Sequence, residues 1–262
     1  MEIKTEVETR FGDLEMLVAI APFDQAVAAL QREKATLATA RQVAQARIVA
    51  GPKSSISQYG SRVAENFVYF PNGNILVTHA KNSPILKHSA EAIVAHRSGN
   101  EFYISKEEAA SLENLAKSGK VYTLIKNKSY EIPIKKFAQD GLAKFVFGDT
   151  TADYAKFLQK VGVNEVPVWL APPMPAKAQK APFAQTLYLN YLDDRSGLYS
   201  YDGNLDGGGR ACGVRKASDQ VSQKSAGVAN TFESIAQNYG LKSPDNLRDV
   251  LEKYTKAREA PQ

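Results

Sequence analysis

Asn66 to His79 reads NFVYFPNGNILVTH, two apolar runs closed around Pro71-Asn72-Gly73-Asn74. Asn-Gly supplies the positive-φ positions that a tight turn needs, so this stretch is predicted to be a β-hairpin. What flanks it decides the kind of sheet the hairpin joins. On the N-terminal side, Glu2 to Ile20 reads as one or two opening strands, with alternation in IKTEVET and an apolar run LEMLVAIA that Ala21-Pro22 breaks. On the C-terminal side, VYTLIK and SYEIPI read as a second hairpin, KFVFG as a further strand and VNEVPVWL as another. Helical signals lie between these strands. Asp24 to Ala50 has no internal Pro or Gly and carries apolar residues at Val27, Leu30, Leu37, Ala44 and Ile48. It is predicted to form one long N-terminal helix of roughly 40 Å, stopped by Gly51-Pro52. Ser105 to Glu108 is a capping-box pattern opening AASLENLAKSG, with Gly119 placed to end that helix. Asp153 to Val161 also reads as helix. Hairpins mixed with helices favour an α+β fold with a mainly antiparallel sheet over a regular βαβ repeat.

Residues 171 to 182, APPMPAKAQKAP, pack four prolines among alanines and lysines and exclude a helix interior or central strand. They divide the chain into an α+β part at 1–170, a linker or extended loop at 171–182, and a part at 183–262 made of a hairpin plus C-terminal helices. The last part could still pack on the first as one domain. In FESIAQNYGLKSPDNLRDVLEKYTK, Ser243, Pro244 and Asp245 suit a helix start, giving two helices joined by a short turn. Ile235, Ala236, Tyr239, Gly240 and Leu241 follow the first half of a helix-turn-helix, whereas Asp245, Asp249 and Glu252 in the second helix would repel phosphates.

With 262 residues, 44% hydrophobic and 23% charged, the chain has ordinary globular composition. No apolar run approaches the ~20 residues that cross a bilayer, so no membrane partner is expected. The start lacks a basic-then-apolar leader layout, and the single cysteine, Cys212, cannot form an internal disulfide; both point to the cytoplasm. The net charge of +5 mildly favours polyanions.

The residues able to carry chemistry concentrate between Gln185 and Lys216. Asp202-Gly-Asn204-Leu-Asp206-Gly207 matches the first half of a Ca²⁺-loop pattern, but its twelfth position is Gly213 rather than a bidentate Glu. Asp193 and Asp194 are paired acids at a strand end, the type of group that holds Mg²⁺ in phosphoester chemistry. A metal here, Mg or Ca, would need both sets. Gly207 to Gly209 with Arg210, Arg215 and Lys216 could instead wrap a phosphate. Arg41 and Arg47 on the long helix, with Lys53 beyond it, extend this basic set. His79, His88 and His96 lack the i, i+4 spacing of a helical metal pair. Tyr188, Tyr191, Tyr199 and Tyr201 cluster on the C-terminal hairpin, as core packing or as stacking surfaces.

These signals converge on a nucleic-acid-associated protein without catalytic activity, using Arg210, Arg215, Lys216, Arg41, Arg47 and Lys53 against phosphates. Two other readings stand beside it. One is an assembly or scaffold subunit with a protein partner or a second copy of itself. The other is a metal-dependent phosphoester or nucleotide enzyme built on Asp193, Asp194, Asp202 and Asp206.

Overall fold

The computed structural model describes residues 3–124, 128–171, 181–192, 196–200, 205–206 and 208–217. The chain opens with the expected strand pair, β1 (Thr5–Phe11) and β2 (Leu14–Ile20), joined by a turn at Gly12. The long helix expected next does not form. Residues 24–50 are instead divided into α1 (Phe23–Arg32), a two-residue strand β3 (Thr36–Leu37) and α2 (Ala40–Ala50). Lys34 takes a left-handed conformation, φ 56°, and the N–H groups of Lys34 and Ala35 donate to the carbonyls of Gln31 and Leu30. That is the Schellman closure of a helix end, here with lysine in the position glycine usually fills. Thr39 then opens α2 as a capping box with Gln42.

A short α3 (Ser55–Gln58) leads into β4 (Ser61–Tyr69), which pairs antiparallel with β5 (Ile75–Thr78) across the predicted turn, in register Tyr69↔Ile75. Two helices follow, α4 (Pro84–Lys87) and α5 (Ser89–Arg97), then β6 (Phe102–Tyr103). Next comes α6 (Lys106–Lys117), where Ser105 Oγ accepts from the Glu108 N–H at 3.1 Å and Gly119 closes the end at φ 71°.

The second predicted hairpin is also corrected. β7 (Tyr122–Thr123) pairs with β5, whereas β8 (Tyr130–Pro133) finds its partner in β9 (Glu165–Trp169). Between β8 and β9 lie α7 (Ile134–Phe137), α8 (Gly141–Phe147) and α9 (Thr151–Lys160). The stretch KFVFG is thus the end of a helix rather than a strand. Asp140 caps α8 through the Ala143 N–H at 3.0 Å, and Leu142, Ala143, Val146 and Phe147 bury one helical face.

Three more strands complete the sheet: β10 (Phe183–Leu189), β11 (Leu198–Ser200) and β12 (Arg210–Lys216). The principal order is β1-β2-β12-β4-β10-β11-β9-β8, with β3, β5, β6 and β7 attached beside it. Pairing is antiparallel except for β11 with β9 and β12 with β4. Strands from both sides of residues 171–182 therefore alternate in one sheet, and residues 1–216 form one compact unit. The predicted C-terminal helices lie outside the described residues.

Alternation along the central strands feeds two cores. Met16, Val18, Val63 and Phe67 face one side with Val43 of α2, Phe147 of α8 and Leu158 of α9. Leu17, Ala19, Ala64 and Val68 face the other with Leu30 of α1, Ile93 of α5 and Leu112 of α6. The rings of Phe137, Phe147 and Tyr154 pack within 5.0–6.4 Å of one another on the first side. Each such buried phenylalanine contributes about 1.5–3 kcal/mol by leaving water. All nine residues of β4 are buried, Arg62, Glu65 and Asn66 among them.

Candidate functional site

The register of β10, β11 and β9 lines up three aromatic side chains. Tyr188 lies opposite Tyr199, and Tyr199 lies opposite Trp169. Since Leu187, Leu189, Leu198 and Val168 point into the first core, the aromatic residues beside them project from the other face. Tyr188 packs over Gly60, where even a Cβ would meet its ring at 2.2–2.4 Å. Further out, the indole of Trp169 is stacked on Tyr199, with ring centroids 5.9 Å apart and planes 12° from parallel. Trp169 remains 58% exposed, although burying a ring of that size is among the largest hydrophobic gains a side chain can make. It is the only tryptophan in the chain.

Gly197 holds this ring pair in place. A Cβ there would sit 2.4 Å from the Pro167 carbonyl oxygen and 2.8 Å from the Tyr199 ring, and the backbone oxygen cannot move aside. Gly197→Ala should force β11 away from β9. The expected result is a loss of about 1–3 kcal/mol by urea unfolding, with an altered near-ultraviolet aromatic dichroism at zero urea. An unchanged spectrum and midpoint would contradict this account.

A second site lies on the opposite face. A cavity of about 640 Å³ is walled by α2, by the end of α8 and by the segment that follows β5. Glu65 of β4 lines it although its side chain is only 1% exposed. One carboxyl oxygen, Oε2, accepts from the Ala40 N–H at 3.0 Å, at the first turn of α2, where the helix dipole favours an acidic group. The other, Oε1, is buried with no hydrogen-bond partner. His79, one register step beyond the Asn66↔Thr78 pair, places Nδ1 3.9 Å from it, with the imidazole stacked on Phe145 at 4.0 Å. Neither Glu65 nor His79 stood out in the sequence as a pair. The available signal was an acid inside an apolar strand run, VAENFVYF.

The basic residues expected to face phosphates are placed otherwise. Arg47 is fully buried, donating to the carbonyls of Ile56 and Tyr59 and to the Tyr154 hydroxyl. Arg210 pairs with Glu8 at 3.1 Å and lies over the Tyr59 ring. Arg215 pairs with Glu15 and Glu33, and Arg41 with Asp149 at 2.8 Å. Lys53 and Lys216 are exposed. Arg47 is 0% exposed, so its guanidinium presents nothing to a phosphate.

Of the predicted metal set, Asp206 lies 3.3 Å from His96, while Asp193, Asp194, Asp202 and Asn204 lie outside the described residues. Among the described residues no three His, Cys, Asp or Glu side chains group as metal ligands, and no helix is long and apolar enough to cross a membrane. Cys212 is buried beside Ser61 Oγ at 3.0 Å. Burial pushes its thiol pKa upward, against the opposing influences of Arg210, Ser61 and Arg47, which disfavours the thiolate a nucleophile would need.

No family model and no curated protein matches the sequence. A solved structure does match in fold, described as "Accommodation of massive sequence variation in Nanoarchaeota by the C-type lectin fold". The alignment covers 78% of this chain and 97% of that one, with a TM-score of 0.56 and 15% sequence identity. The chain is thus similar to the C-type lectin fold. This corrects the expectation of a nucleic-acid-binding protein, since the similar fold is the C-type lectin one and Arg41, Arg47, Arg210 and Arg215 are each paired or enclosed within the chain.

Proposed function

We propose that this chain is a recognition domain whose ligand is a protein surface, engaged by the ring pair of Trp169 and Tyr199. The observation that carries this reading is a stacked, solvent-facing indole held in fixed register on paired strands. Tyrosine and tryptophan are the side chains that most often dominate protein–protein binding energy, because each offers a large rigid apolar face with few torsions to immobilise. The similar structure is described as accommodating massive sequence variation. A frame that keeps its backbone while its side chains change suits recognition better than catalysis, which fixes particular side chains. The buried thiol of Cys212 fits the cytoplasmic placement proposed from the sequence.

The test uses random peptides displayed on phage and panned over the immobilised chain, with enriched sequences measured as synthetic fluorescein-labelled peptides by fluorescence anisotropy. Peptides that bind the wild type should lose about 30-fold or more in affinity on Trp169→Ala and on Tyr199→Ala, a hot-spot effect of about 2 kcal/mol. Far-ultraviolet circular dichroism of both variants should match the wild type. Failure to enrich any peptide, or equal binding by Trp169→Ala, would reject the proposal. Binding to a glycan array that disappears with Trp169→Ala would also reject it, in favour of saccharide recognition.

A further inference from the structure

We infer that the cavity beneath the first turn of α2 is a binding site for a free α-amino acid, taken as its zwitterion. The site is separate from the ring pair and does not depend on the reading given to it. Its floor is the unpartnered Oε1 of Glu65, a buried acceptor in a pocket where the other carboxyl oxygen is already fixed by the Ala40 N–H. A buried acceptor left without a donor is costly, and a charged N–H donor satisfies it best. The ligand end that reaches the floor is therefore a protonated amine. His79 covers this oxygen from 3.9 Å, too far for a hydrogen bond, and its side chain is 42% exposed. For the amine to reach Oε1, the imidazole must turn about its side-chain torsions and give up its stacking on Phe145.

A simple cation is excluded by the rim. Arg41 and Lys81 both line the cavity, and Asp149 offsets only Arg41. Lys81 is exposed, so a ligand carrying only positive charge meets a cation on the way in. A simple anion is excluded at the other end, where Glu65 would oppose it without water between them. A divalent metal is a poor fit as well, because Glu65 and His79 supply two protein ligands and no third carboxylate, histidine or cysteine groups with them among the described residues. Positive charge at the floor and negative charge at the rim describe a zwitterion. Leu14, Phe145 and Val146 give the cavity an apolar wall for a side chain. A cavity of about 640 Å³ also lies within the usual small-molecule range of roughly 300–1,000 Å³.

The experiment is a thermal-shift titration of the full chain with each proteinogenic amino acid, its amide and its des-amino acid. At least one amino acid should raise Tm, with its amide and its des-amino counterpart each at least about tenfold weaker. Glu65→Gln should lower affinity for that amino acid roughly 10- to 100-fold, the range expected on losing one charge-assisted hydrogen bond. Gln keeps an oxygen for the Ala40 N–H, so the variant is expected to stay folded. Lys81→Ala should weaken the amino acid while leaving its amide unaffected or tighter. The inference is overturned if no amino acid shifts Tm, if a des-amino acid binds as well as its parent, or if Glu65→Gln binds like the wild type. Should Glu65→Gln fail to fold, Lys81→Ala decides the matter on its own. An equal response to amino acid and amide in that variant and the wild type counts against the site.

Discussion

Arg47→Ala should lower the free energy of unfolding by about 3–5 kcal/mol, more than any substitution on the surface of the chain. Arg47 is the largest fully buried side chain among the described residues, and no Asp or Glu among those residues forms an ion pair with it. Its Nε donates to the Ile56 carbonyl at 2.9 Å, Nη1 to the Tyr154 hydroxyl at 3.0 Å and Nη2 to the Tyr59 carbonyl at 3.3 Å. The fork therefore ties α2 both to α9 and to the segment that delivers the chain into β4. Truncation strands the buried Ile56 carbonyl, costing about 1–3 kcal/mol, leaves the part-buried Tyr59 carbonyl to find water at a smaller cost, and opens a cavity between the helices. Arg47→Met separates the two contributions, since it refills much of the volume and leaves the carbonyls unsatisfied. It should recover only part of the loss. Tyr154→Phe, which removes a single acceptor, should cost about 1 kcal/mol. Urea unfolding followed by circular dichroism, with an unchanged slope, measures all three. A loss below about 1 kcal/mol for Arg47→Ala would show that water replaces the guanidinium without difficulty and that the knot is not structural.

Arg47 also marks the limit of what local sequence encodes. Its charge placed it on the surface of a long helix, yet the helix is broken and the residue lies inside. The break was legible in part. Thr39-Ala-Arg-Gln42 is a capping-box pattern, but the alanine-rich run on both sides carries a helical preference that local reading extends straight through it. The left-handed Lys34 leaves no comparable mark, because lysine is ordinary in a helix and rare in that conformation. Local signals succeeded where partners were close in sequence. Asn72-Gly73 fixed the hairpin of β4 and β5, and Ser105 with Glu108 fixed the start of α6. They fail where partners are distant: closeness in sequence makes β7 and β8 neighbours, although β5 and β9 take them. KFVFG shows a third limit, since a short apolar run carries too little period to separate helix from strand. The pairing of Glu65 with His79 follows from extending the hairpin register by one step. The cavity beside it depends on α2 and α8, which only the tertiary fold brings there.

Removing Arg10 and Arg215 together should destabilise the chain more than removing the carboxyl they share. Register sets Arg10 of β1 opposite Glu15 of β2, and Arg215 of β12 opposite the same Glu15 from the other side. The ion pairs measure 2.7 Å and 3.1 Å, and Arg215 reaches on to Glu33 Oε2 at 2.9 Å, tying the end of α1 to the sheet. The three side chains differ in burial. Glu15 is fully buried, while Arg10 and Arg215 keep 44% and 24% of their side-chain surface in water. Deleting Glu15 leaves two cations that can relax outward into solvent, so Glu15→Ala should cost about 1–3 kcal/mol, mostly in packing and lost charge-assisted bonds. Deleting both arginines leaves a buried carboxyl with neither partner, for which about 3–5 kcal/mol is expected. Adding Glu15→Leu to that double variant removes the stranded charge and should return much of the loss. Urea midpoints of the single, double and triple variants form the test. If the double variant proved no weaker than Glu15→Ala, or if Glu15→Leu in its background restored nothing, the stability of this edge would rest on strand pairing alone rather than on the shared carboxyl.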